Sequence, residues 1–176
     1  MTMTALAEPT DLLPEIDADG AIAHHIDRSV EDARILIVDD DPTAARLMMR
    51  LLERDGFWRI VSTGGGWRAL AMLLQHPPDV MILDVHMPDL DGIQVLREME
   101  QVERRTHSVT GVLAVSGDHS AATCESMLRA GADDFVLRPF AGTEFALRVR
   151  RLAHATRELR KTVSYVGFLE HGIGVE

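Results

Sequence analysis

Apolar residues in this chain come in short continuous runs that end in acids, alternating with longer stretches where they recur every three or four positions. Ile35-Leu36-Ile37-Val38 and Val80-Met81-Ile82-Leu83 have the texture of strands buried on both faces. Further strands are predicted around residues 58–61, over 111–115, and over Phe135-Val136-Leu137. Asp41 is placed to cap a helix with Pro42 at its first position, and Leu47, Leu51 and Leu52 share one face of that helix. A second helix is predicted from about 67 to 74, stopped by Pro77-Pro78. Ile93, Leu96 and Met99 give a third helix its apolar side, a fourth covers about 120–130, and a long fifth follows. Five strands alternating with five helices predict an α/β fold, a doubly wound five-stranded parallel sheet flanked by five helices. Right-handed crossovers then bring every strand's C-terminal end to one edge, where ligands bind in such sheets.

The last helix carries a second pattern. Phe145, Val149, Leu152, Thr156, Leu159, Val163 and Val166 follow alternating steps of four and three, a heptad spacing with one polar break. Beyond about Leu152 the helix is expected to outrun the sheet, leaving Leu159, Val163 and Val166 as an exposed apolar stripe. Such a stripe marks a partner surface, so a homodimer seam or a docking surface is expected there. A helix folded back on its own domain is the alternative.

Charge divides the chain. The net charge of -10 over 176 residues is concentrated at the start: residues 1–33 carry eight acids and one base, Arg28, while the rest is nearly balanced. With Pro9, Pro14 and Gly20 interspersed, residues 1–33 read as a flexible acidic arm, or as an arm holding a short partner-binding helix over 21–30. The expected organisation is an arm over 1–33, a domain over 34–152, and a helix extension with a tail over 153–176. An acidic chain without a basic stripe argues against direct nucleic-acid binding. A lone cysteine, Cys124, leaves no intramolecular disulfide. Neither a membrane span nor the basic and apolar regions of a signal peptide is visible, so a cytoplasmic protein with no membrane partner is expected.

The chemistry-bearing residues follow the strands. Asp39 and Asp40 follow the first, Asp84 the third, Ser116 the fourth and Arg138 the fifth. Carboxylates crowded at one edge repel one another unless a cation sits among them. Mg²⁺ suits oxygen ligands and phosphate substrates, and Asp84 beside it suits a carboxylate nucleophile toward a phosphoryl donor.

These residues lie in wider motifs. Ile37-Val38-Asp39-Asp40, the stretch from Leu83-Asp84 through Met87-Pro88 to Asp91-Gly92, Ala114-Val115-Ser116-Gly117, and the run from Ala130-Gly131 to Arg138-Pro139-Phe140 occur in that order. Together they resemble the receiver domain of two-component response regulators, a flavodoxin-like fold, over about residues 33–150. The resemblance implies that Asp84 is the phosphoacceptor, with Asp40 the chief metal-binding acid, Asp39 beside it, and the backbone carbonyl of His86 a further ligand. It also implies that Ser116 contacts the phosphate and that Phe135 is the aromatic switch residue. Arg138 departs from the pattern, because receivers usually carry lysine there. Arginine keeps the charge, but its planar fork is bulkier and less pliable.

Other motifs carry less. His24-His25 has no ligand spacing around it, Gly64-Gly65-Gly66 lacks the ending of a P-loop, and Cys124 sits among small residues. A phosphohydrolase with an aspartyl-phosphate intermediate usually has a second acid two residues past its nucleophile, where this chain has His86. The sequence thus predicts a stand-alone response regulator, not an enzyme beyond self-phosphorylation and autodephosphorylation. A sensor histidine kinase or phosphotransfer protein would phosphorylate it, and output would pass to a downstream protein target. A degenerate receiver, binding partners without phosphorylation, is the alternative.

Overall fold

The computed structural model describes residues 30–172, with side chains as far as residue 163. Most of the acidic arm, the helix considered over 21–30, and the Val166 side chain therefore lie outside the described residues. Strands β1 (Arg34–Val38), β2 (Arg59–Thr63), β3 (Val80–Asp84), β4 (Gly111–Ser116) and β5 (Asp134–Leu137) alternate with five helices. These are α1 (Pro42–Arg54), α2 (Gly66–Gln75), α3 (Gly92–Thr106), α4 (Ala121–Arg129) and α5 (Gly142–Gly172). The strands pair in parallel in the order β2-β1-β3-β4-β5. The doubly wound α/β prediction holds.

Alternation inside the buried strands builds two cores. Ile35, Ile37, Val80, Ile82, Leu113 and Val115 face α1 and α5, where Met48, Leu52, Phe145 and Val149 meet them. Leu36, Val38, Met81, Leu83, Val112 and Ala114 face α2, α3 and α4. Both faces of the central strands are covered, which is why their sequences are continuous apolar runs.

Three expectations about elements need correction. Leu47 does not join the core and is 56% exposed. The inward stripe of α1 runs through Ala45, Met48 and Leu52, steps of three and four, and Leu47 falls beside it. β2 starts after Trp58, whose ring stacks on Arg59 outside the sheet, and runs on to Thr63 because Thr63 pairs with Val38. Finally, α5 does not leave the domain at Leu152. Thr156, the polar break in the heptad, is buried against Gly111, where a Cβ would come within 2.5 Å of the Thr156 hydroxyl. One turn further, Arg160 pairs with the buried Asp79 and donates to the carbonyl oxygens of Val109 at 2.7 Å and Pro78 at 2.5 Å. Arg157 reaches Asp32 at 2.7 Å. Polar anchors hold these turns, and hydrophobic spacing carries no signal of them. Beside these anchors Leu159 and Val163 are 53% and 48% exposed, as expected.

Candidate functional site

The strand order reverses between β1 and β3, and a crevice opens at the C-terminal ends of strands where that happens. Asp39 and Asp40 follow β1 and Asp84 ends β3, so the fold alone brings them together. One oxygen from each of the three carboxylates lies within 4.8 Å of the others. All are hard oxygen donors, a set that fits Mg²⁺.

Local bonds fix each group. The Asp39 amide donates to Thr63 at 3.0 Å, and its Oδ1 accepts from the Asp41 amide at 2.9 Å. Its buried Oδ2 pairs with Arg138. Asp40 is exposed, and Asp41, as expected, caps α1 through the Thr43 amide at 2.7 Å. Asp84 is 7% exposed. Burial pushes its carboxyl above the ordinary range; Arg138 opposes this, while Asp39 and Asp40 add to it. Behind it, Gly92 opens α3 so close that a Cβ would stand 2.7 Å from the Asp84 carbonyl oxygen. Only a residue without a side chain fits there.

The residues expected to contact the phosphate and to switch lie on the neighbouring strands. Ser116 is fully buried, and its Oγ accepts from the Asp118 amide at 2.9 Å. The Arg138 amide donates to the Ser116 carbonyl at 2.7 Å, tying the ends of β4 and β5. Arg138 extends its guanidinium over the acids, pairing with Asp39 and standing 3.6 Å from Asp84 Oδ1. Phe135 is half-buried on β5 and packs on the α2–α4 side of the core. The His86 side chain is exposed and close enough to Asp118 to lower that carboxyl slightly, after the larger effects of Thr123 and Ser120.

Asp89 has a role that sequence reasoning missed. The cap position before α2 is Gly65, which offers no side-chain cap of its own. Asp89, from the loop after β3, supplies one by accepting from the Gly66 amide at 3.2 Å. Gly65 makes room for it, since a Cβ there would stand 2.7 Å from Asp89 Oδ2. The missing cap residue before α2 was the one available signal. A separate cleft between α3 and α4, lined by Ile93, Leu96, Met99 and Arg129, includes none of the site acids.

A family model described as the response regulator receiver domain matches residues 35–150. The chain belongs to that family. Response regulator MprA of Mycobacterium leprae is 36% identical over 124 residues, which cover 70% of this chain and 52% of that protein. Transcriptional regulatory protein TrcR of Mycobacterium tuberculosis is 31% identical over 128 residues, covering 73% and 48%. The receiver chain spans about half the length of the curated relatives it matches. A response regulator signal receiver domain from Bermanella marisrubri superposes with a TM-score of 0.58 at 33% identity, covering 69% of this chain and 98% of that one. The Francisella response regulator 1452 receiver domain gives 0.60 at 30% identity, covering 71% and 99%. In this receiver no helix among the described residues is long and apolar enough to cross a membrane.

Proposed function

We propose that Asp84 accepts a phosphoryl group from a sensor histidine kinase or phosphotransfer protein, and that the receiver passes this state on through protein–protein contacts. The observation that carries the reading is the convergence of Asp39, Asp40 and Asp84 at the switch point, with Ser116 and Arg138 on the adjoining strand ends. A carboxylate oxygen of Asp84 attacks the donor phosphorus. The bond from phosphorus to the donor imidazole nitrogen breaks, and its electron pair stays on that nitrogen. Mg²⁺, held by Asp39, Asp40, Asp84 and the His86 carbonyl, would supply charge neutralisation for the carboxylate and the incoming phosphoryl oxygens.

The chain's own residues do the rest. Arg138 lends positive charge beside Asp84, favouring the ionised nucleophile against the cost of burial. Ser116, now accepting from Asp118, turns its hydroxyl hydrogen toward a phosphoryl oxygen, drawing the β4–α4 loop inward. Phe135, only half-buried, moves into the space so vacated. The Leu159 and Val163 stripe is the expected dimer or docking surface, and its apolar exposure supports protein contacts.

A degenerate receiver is the second reading, favoured by the pairing of Arg138 with Asp39. Incubation with acetyl phosphate and Mg²⁺ followed by intact-mass measurement separates the two. One added phosphoryl group on the wild type, absent from Asp84→Asn, is expected. An unmodified wild type under conditions that modify an ordinary receiver would establish the degenerate reading.

A further inference from the structure

We infer that Arg138 acts as an internal competitor of the divalent cation, its guanidinium and the metal contending for Asp39. The inference rests on the reading of the acid cluster as a cation site. Asp39 is buried, with Oδ1 on the Asp41 amide and Oδ2 on the Arg138 guanidinium. The other arm of the same guanidinium stands 3.6 Å from Asp84 Oδ1, so the fork bridges two of the three acids. It therefore stands against two of the three carboxylates that would hold the cation. A dication bound there would face a like charge at near-contact distance in a poorly solvated crevice, where repulsion is strong.

The guanidinium has somewhere to go. Its side chain is 29% exposed, whereas that of Asp39 is wholly covered. Entry of the cation therefore turns Arg138 off Asp39 toward solvent. A lysine would present one charge on a pliable stem, but the arginine fork can hold two carboxylates at once and yields less readily. Arg138 thereby sets the cation concentration at which the site fills, and makes the filled site and the Arg138–Asp39 pair alternatives.

Isothermal titration of MgCl₂ into the full chain tests this with wild type, Arg138→Gln, Asp39→Asn and the double variant, each first checked for a cooperative melt. Arg138→Gln is expected to bind Mg²⁺ about tenfold more tightly, the scale of one charge-assisted contact removed from the competition. Asp39→Asn is expected to weaken binding far more in the Arg138→Gln background than in the wild type, because only there is Asp39 free for the metal. Arg138→Lys, which keeps the charge without the fork, also binds more tightly than wild type. Equal losses from Asp39→Asn in both backgrounds would overturn the inference, showing Arg138 to be only a nearby charge; so would an unchanged affinity in Arg138→Gln and Arg138→Lys. Absence of binding in every variant would overturn the cation reading itself, and the competition with it.

Discussion

Arg160 on α5 and Asp79 at the foot of β3 form an ion pair that joins the helix extension to the sheet edge opposite the acid cluster. Asp79 is buried and also accepts from the Arg34 amide at 2.8 Å and from Arg157 at 3.4 Å. Removing one partner of a buried pair leaves the other charge uncompensated. Asp79→Ala is therefore expected to cost about 3 kcal/mol, read from urea denaturation. Arg160→Met, which keeps a long apolar stem, should cost less. A loss near zero for Asp79→Ala would show that the pair does not hold the helix.

Gly111 and Thr156 form the next contact along the same seam. A methyl group at Gly111 would collide with the Thr156 hydroxyl at 2.5 Å. Gly111→Ala should destabilise the chain by about 1–3 kcal/mol, the usual cost of overpacking. Thr156→Ala in the same chain should recover part of that loss, and thermal melts of the single and double variants check it.

Glu103 gives a pH dependence away from the acid cluster. Burial raises its carboxyl above the ordinary range, against the opposing hydrogen bond from the Thr110 amide at 2.7 Å. A raised folded-state value means that Glu103 favours the fold when protonated and loses that contribution as pH rises through the folded value. Glu103→Gln, which keeps an acceptor for Thr110, should melt above wild type at neutral pH. The gap should close as pH falls into the ordinary glutamate range, and a gap independent of pH would refute the assignment.

Ser116→Ala removes the acceptor of the Asp118 amide and should cost about 1 kcal/mol. Asp84 should still take a phosphoryl group from acetyl phosphate. The response should be lost: hydrogen exchange over residues 116–120 and 134–138 changes on phosphorylation in the wild type and stays unchanged in the variant.

Leu159→Glu with Val163→Glu places charges on the exposed stripe of α5 and replaces neither anchor, Arg157 or Arg160. If the stripe is a dimer seam, sedimentation should show a dimer for the wild type and a monomer for the double variant. Stability of the monomer fold should change by no more than about 0.5 kcal/mol, as for most surface substitutions.

The sequence by itself determined the elements, the parallel sheet and the identity of the acids, because short apolar runs ending in Asp39 and Asp84 encode both burial and position. Its local signals also placed the Asp41 cap. Only the tertiary structure decided what depends on partners distant in the chain. Asp89 caps a helix 23 residues earlier, Thr156 lies on Gly111, Arg160 finds Asp79 across 81 residues, and Arg138 takes Asp39 across 99. A polar contact leaves no periodic trace, since one charged residue suffices for it and its geometry exists only once the sheet has assembled.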